Sequence, residues 1–178
     1  MNPRYHSTGG VQLALAIYDQ INMEWYSAYF YLSIHSYYVD QELNGFGNWF
    51  YVQTQEERDH AMLFIHYLQQ QGEAVALEAI DKPDKTYKAF IDPLKMSAEH
   101  ERIVTDLIHK IYAAASKEND FRTMQFLDWF VKEQAEEEDN ADDNVTKFEL
   151  FGNDSKGLYD LDNEMKTRIY AAPSLVIG

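Results

Sequence analysis

Four glutamates stand where a helical sequence should place hydrocarbon. Read in alternating steps of three and four, which keep to one helix face, one stretch gives Ala14, Ile17, Ile21, Glu24, Ala28, Tyr31, His35, and a second gives Phe50, Gln53, Glu57, His60, Phe64, Tyr67. A third reads Leu94, Ala98, Glu101, Val104, Ile108, Ile111, Ala115, and a fourth reads Phe126, Phe130, Glu133, Glu137, Ala141, Asn144, Phe148. Taking one ionised carboxylate out of water costs several kcal/mol even after relaxation, more than the ~0.8 kcal/mol that a buried methylene returns. Four such acids facing one interior also repel one another, and cations between them offset both costs. Glu57-x-x-His60 adds an imidazole one turn from a carboxylate, the spacing at which two helical side chains can face one metal ion. Taken alone, that pair is weak evidence, because Glu and His three apart on a helix are more often a surface pair than metal ligands.

The elements that must position these groups are set by the breakers. Proline occurs only at positions 3, 83, 93 and 173, so two long stretches are free of the strongest helix breaker. Asp40, Asn44, Gly45 and Gly47 divide the first stretch into helices of about 10–38 and 46–71, with Gly72 as the stop. From Gly72 to Pro93 the periodicity is lost and Asp81, Pro83 and Asp84 intervene, which predicts a crossover too long for a hairpin. Two more helices follow at about 93–117 and 120–151, then a loop through Gly152, Asn153, Asp154 and Gly157 and a short helix at about 161–170. The expected fold is all-α: a single domain over 1–178, a four-helix bundle with a long crossover between helices two and three and a short C-terminal fifth helix. A crossover of some twenty residues, at about 3.3 to 3.6 Å each, can return along the bundle and set helices two and three parallel. In an antiparallel hairpin, residues equidistant from the turn share a level. The midpoint of Glu24 and Glu57 falls between Asp40 and Gln41, and that of Glu101 and Glu137 is Asn119, so both pairs converge at mid-bundle.

Composition narrows the chemistry. The 178 residues include no cysteine, which excludes disulfides, thiolate zinc, iron-sulfur clusters and a cysteine nucleophile, and leaves oxygen and imidazole to hold any metal. With 46% apolar residues and 13 Tyr, 10 Phe and 3 Trp, the chain can bury an aromatic-rich core. A net charge of -15 disfavours nucleic acid and anionic membrane as partners and makes cations the natural ones. The segment Met1 to Gly10 has no basic region followed by an apolar run, and no stretch has the roughly eighteen apolar residues of a membrane span, so the expectation is a cytoplasmic, soluble protein.

Several motifs carry a family resemblance: Asn22-Met-Glu-Trp-Tyr26, Gln55-Glu-Glu-Arg-Asp-His60, Glu99-His-Glu101, Trp129-Phe-Val-Lys-Glu-Gln-Ala-Glu-Glu-Glu138 and Gly157-Leu-Tyr159. From about Leu13 to Leu161 the chain resembles the bacterial non-haem ferritins. That resemblance implies a di-iron centre in which Glu24, Glu57 and His60 hold one iron and Glu57, Glu101 and Glu137 the other, with Glu57 bridging. Tyr31 matches the tyrosine near the centre, as electron or hydrogen-bond donor or as packing. Gln134 matches a residue beside it that orients or joins the oxygen ligands, a purely structural seam glutamine being the alternative. A third, weaker iron position would use Glu56, Glu133, Glu136 and Glu137, ordinary surface charge being the alternative for Glu56 and Glu136.

Related families are set apart by single residues. Haem-containing bacterioferritins and rubrerythrin-like proteins repeat Glu-x-x-His on the fourth helix, where Asn140 stands here, and the bacterioferritin haem methionine is replaced by Arg58, so no haem is expected. The short final helix argues against the miniature DNA-protecting ferritins. Ala135 replaces a common histidine, which bears on the third iron position.

The implied function is iron storage with ferroxidase activity. Fe(II) is oxidised by dioxygen or hydrogen peroxide and kept as hydrated ferric oxide inside a homo-oligomeric cage of about 24 subunits. Two other functions fit the same residues: a di-iron oxidase of an organic substrate, and a non-catalytic acidic bundle that binds cations or a basic partner. His35 reads as packing, and His6, His66, His100 and His109 have no evident ligand partner.

Overall fold

The computed structural model describes residues 8–177, and His6 lies outside them. Five helices follow one another: α1 (Thr8–Asp40), α2 (Asn44–Gln70), α3 (Asp92–Glu118), α4 (Phe121–Phe151) and α5 (Ser155–Met165). All regular structure among the described residues is helical. Pairs α1/α2 and α3/α4 form the two hairpins, α1 also packs on α3, and residues 71–91 make the crossover. No helix among the described residues is long and apolar enough to cross a membrane.

The joints are closed by local chemistry. Gly72 leaves α2 at φ 78°, a left-handed conformation that costs a glycine little. Asn119 takes the same region at φ 56° to end α3, and Asp120 then caps α4, its carboxylate accepting from Thr123 N (3.2 Å) and Thr123 Oγ1 (2.6 Å). The first turn of α2 has no side-chain cap of its own. Asp162 of α5 supplies one from across the fold, accepting from Gly45 N (2.7 Å) and Phe46 N (3.1 Å).

The fifth helix begins at Ser155, six residues before the expected start, and ends at Met165 instead of Tyr170. Asp154 is the reason, since its carboxylate accepts from Lys156 N and Gly157 N, each at 3.0 Å, and so draws Gly157 into the first helical turn. Beyond Met165 the chain runs as an irregular segment.

Core side chains fall into two groups. One, around Ile17, Ile21, Phe64, Ile108, Phe126 and Phe130, fills one end of the bundle; the other, around Phe30, Ile34, Tyr38, Phe46, Phe50 and Phe148, fills the opposite end. Between them lies a polar layer.

The seams of α2 and α3 are buried at every expected position. On α1 the register drifts, so Ala14 and His35 are half-buried while Leu13, Ile34 and Tyr38 turn inward. On α4 the inward position is Gln134, and Glu133 is half-buried beside it. A straight helix of 3.6 residues per turn slips against a 3.5 repeat, which accounts for both differences.

Candidate metal centre

The polar layer holds four of the seam acids and one imidazole. Glu24 is 1% exposed, Glu57, His60 and Glu101 2% each, and Glu137 6%. Glu24 comes from α1, Glu57 and His60 from α2, Glu101 from α3 and Glu137 from α4. Donor atoms of Glu24, Glu57 and His60 lie within 4.8 Å of one another, and His60 Nδ1 is 3.5 Å from Glu57 Oε2. Glu101 and Glu137 stand outside that tight cluster and are tied to its surroundings by hydrogen bonds.

Three glutamines hold the acids in place. Gln20 Nε2 donates to Glu24 Oε1 at 2.7 Å. Gln53 Nε2 donates to both Glu57 Oε1 (3.1 Å) and Glu137 Oε2 (2.8 Å), joining α2 to α4. Gln134 Nε2 reaches Glu101 Oε2 (3.2 Å) and Thr105 Oγ1 (3.3 Å), so its amide nitrogen faces the acid it orients. The Tyr31 hydroxyl donates to Glu101 Oε1, and Ser97 Oγ lies 3.4 Å from that hydroxyl. His60 sits edge-on to Trp129 and Phe130, with ring centroids 5.6 and 5.8 Å away.

The electrostatics are those of too many acids in a dry space. Burial, then the charge of Glu57, holds the Glu24 carboxyl well above the usual carboxylate range. Burial with Glu57 and Glu137 does the same to Glu101, and burial with Glu57 lifts Glu137 to about 7. Burial also opposes ionisation of Glu57 and His60, but their mutual contact outweighs it. Glu57 is lowered, and His60, facing Glu57, Glu24 and Glu137, is raised to about 10. Without a metal ion the layer therefore takes up protons to limit its charge.

A proton on Glu24, shared with Glu57, is the one relief the protein itself offers there. Glu24 Oε2 is buried with no hydrogen-bond partner, as is Gln20 Oε1, and a buried unpaired oxygen costs about 1–3 kcal/mol. An oxygen-rich set with one imidazole and an unpaired carboxylate oxygen fits a hard divalent cation.

Of the residues expected at a third position, Glu56 is half-buried and paired with Arg168 (2.5 Å), Glu133 is half-buried, and Glu136 is exposed. The sequence reading placed Gln53 on the seam but gave no role to it, to Gln20 or to Arg168. Gln20 and Gln53 each stand four residues before a seam glutamate, a spacing that could have revealed them; no local pattern points to Arg168. His100 was left unassigned and is buried, with Nε2 2.7 Å from Ser27 Oγ; burial lowers it to about 4.

Comparison with known proteins identifies the family of this fold. The family model for the ferritin-like domain matches residues 14–151. A bacterial non-heme ferritin of Campylobacter jejuni is 34% identical over 148 residues, covering 83% of this chain and 89% of the relative. One of Staphylococcus haemolyticus is 30% identical over 155 residues, covering 87% and 93%. Among solved structures, an open-pore ferritin of the hyperthermophilic archaeon Archaeoglobus fulgidus superposes with a TM-score of 0.87 at 41% identity, covering 89% of this chain and 98% of that one. With the family model spanning most of its length and these relatives matched nearly end to end, the chain belongs to the ferritin family.

Proposed function

We propose that this protein oxidises Fe(II) at the buried centre and stores the product as hydrated ferric oxide inside a cage of its own copies. Iron is the substrate and cargo. Glu24, Glu57 and His60 form one position, and Glu57, Glu101 and Glu137 the other, with Glu57 shared. The observation that carries this reading is the Glu24 Oε2, buried within reach of Glu57 and His60, because as a carboxylate oxygen it has no hydrogen-bond partner and only a proton or a cation can satisfy it.

The chain's own groups have separable tasks. Glu24, Glu101 and Glu137 hold protons while no cation is present and give them up when Fe(II) enters, so binding releases protons. Gln20, Gln53 and Gln134 fix the carboxylate oxygens during that exchange, and Tyr31 steadies Glu101. Two Fe(II) supply one electron each. Dioxygen takes both electrons with two protons and leaves as hydrogen peroxide, or peroxide takes them with two protons and leaves as two waters. The apolar clusters on either side exclude bulk water from the layer. Negative charge favours the approach of Fe(II), and the cage, about 24 copies by analogy with the family, gives the oxide a place to collect.

Anaerobic addition of Fe(II) followed by air tests the proposal. Coloured oxide retained by a large particle is expected; oxidation without retention would indicate an oxidase, and no protein-dependent oxidation would indicate a mere cation-binding bundle. Glu57→Ala, which removes the shared ligand, should reduce the rate of oxidation at least 100-fold, and a rate equal to that of the parent would sink the assignment of the centre.

A further inference from the structure

Beyond α5 the chain lies along the outer side of α2 and onto α4. Asn48 Nδ2 donates to the carbonyl of Arg168 (3.0 Å), the Tyr170 hydroxyl to Asp59, and Trp129 Nε1 to Ser174 Oγ (2.9 Å). Leu175 and Ile177 pack against the apolar cluster at that end. This strap sets Arg168 beside the candidate centre. Its guanidinium lies 4.2 Å above the Trp49 ring; Nη2 donates to Glu56 Oε2 at 2.5 Å and Nη1 to Gln53 Oε1 at 2.7 Å. Both members of the ion pair are mostly buried, with side chains 15% and 17% exposed.

Resting on the function proposed above, we infer that Arg168 serves as a tethered cation at the third iron position, withdrawing Glu56 from the ligand set and orienting Gln53. Two observations converge on it. Glu56 lies near enough to Glu133 and Glu137 for their charges to act on one another, and its Oε2 already accepts from a guanidinium. A planar guanidinium stacked on an indole and bonded to both an amide and a carboxylate is held more firmly than a surface lysine would be. Gln53 then links the strap to the centre. Its oxygen accepts from Arg168, which turns its nitrogen toward Glu57 and Glu137. Arg168 is thus a positioning residue for both carboxylates as well as a competitor for the outer site.

Zn(II) uptake by the assembled protein, measured by equilibrium dialysis as ions per subunit, tests this without iron turnover. Arg168→Gln should bind one more Zn(II) per subunit than the parent, and adding Glu56→Gln should remove that extra ion. In the parent, Glu56→Gln alone should leave the number unchanged, a comparison that stands even if Arg168→Gln fails to assemble. The inference is overturned if Arg168→Gln binds no more than the parent, if the extra ion survives loss of Glu56, or if Glu56→Gln alone lowers the parent's uptake. Glu57→Ala run in parallel separates the two readings. Parent uptake that does not fall with Glu57→Ala overturns the centre itself, whereas a fall there with no gain in Arg168→Gln overturns only the role of Arg168.

Discussion

Replacing Glu24 with glutamine should make the metal-free protein more stable while weakening its metal site. Glutamine keeps the oxygen that accepts from Gln20 Nε2, and its amide can donate toward Glu57, as a protonated Glu24 would. The variant therefore copies the protonated acid without having to hold a proton. In the parent, burial and Glu57 raise the Glu24 carboxyl, and Oε2 has a partner only while it carries a proton. Relieving an unsatisfied buried group of this kind is worth about 1–3 kcal/mol. At about 2–4 °C per kcal/mol for a chain of this size, a middle value of about 2 kcal/mol raises the unfolding midpoint by roughly 4–8 °C at neutral pH.

The sign with pH follows from linkage. An acid raised in the folded state favours folding fully below its ordinary value, and that contribution is lost as pH rises through the folded value. The advantage of Glu24→Gln should accordingly shrink toward pH 5, where the parent's own carboxyl is protonated, and widen above it. Saturating Zn(II) should narrow or reverse the order, because ligand at 100 times its dissociation constant adds about 2.7 kcal/mol to a protein that binds it, and the variant has lost an anionic ligand. Differential scanning calorimetry of chelator-treated assemblies, at one scan rate because cages unfold irreversibly, provides the measurement. A lower midpoint for the variant at neutral pH without metal, or a gap that does not change with pH, would refute the reasoning.

Two further tests address the fold around the centre. His100, neutral in the folded protein down to about pH 4 against an ordinary 6.5, should lend stability that is complete above pH 6.5 and lost as pH falls to 4, worth about 3 kcal/mol. Measured against His100→Gln in chelator, the parent should lose roughly 6–12 °C of midpoint across that interval, and a constant difference would contradict its buried, uncharged state. Gly45→Ala would bring a methyl to 1.6 Å from the Asp162 carbonyl oxygen and displace the carboxylate that caps α2. The two charge-assisted hydrogen bonds lost should cost about 3 kcal/mol, read as a fall of roughly 6–12 °C, and a midpoint within 2 °C of the parent would show that α5 does not depend on that contact.

The buried acid layer was legible because acid interrupts a periodic apolar seam, and Glu57, His60 and Glu101 fall on that seam in both sequence and structure. Periodicity alone could not choose between Glu133 and Gln134 on α4, where one step of four replaces a step of three. Asp154 offered a visible cap for α5, but Gly157 was read as loop, although a glycine in a first helical turn is tolerable when its amide is capped. Arg168 was out of reach for a different reason. It meets Glu56 across 112 residues from an irregular segment, and such a contact leaves no spacing to read.

Under the proposed function, counting charge accounts for how the layer would serve oxidation and still let its product go. Four carboxylates, Glu24, Glu57, Glu101 and Glu137, carry four negative charges when ionised, and two Fe(II) carry four positive ones. With His60 neutral as a ligand, the loaded centre is balanced, which a dry interior requires. Two Fe(III) carry six positive charges, leaving an excess of two that the layer has no further acid to match. Oxidation thus turns a balanced site into an overcharged one, and the product must take up hydroxide or oxide from water, or move toward acids nearer the surface. Half-buried Glu133 and exposed Glu136 are such acids on α4. Glu56 is another, but its charge is already met by Arg168.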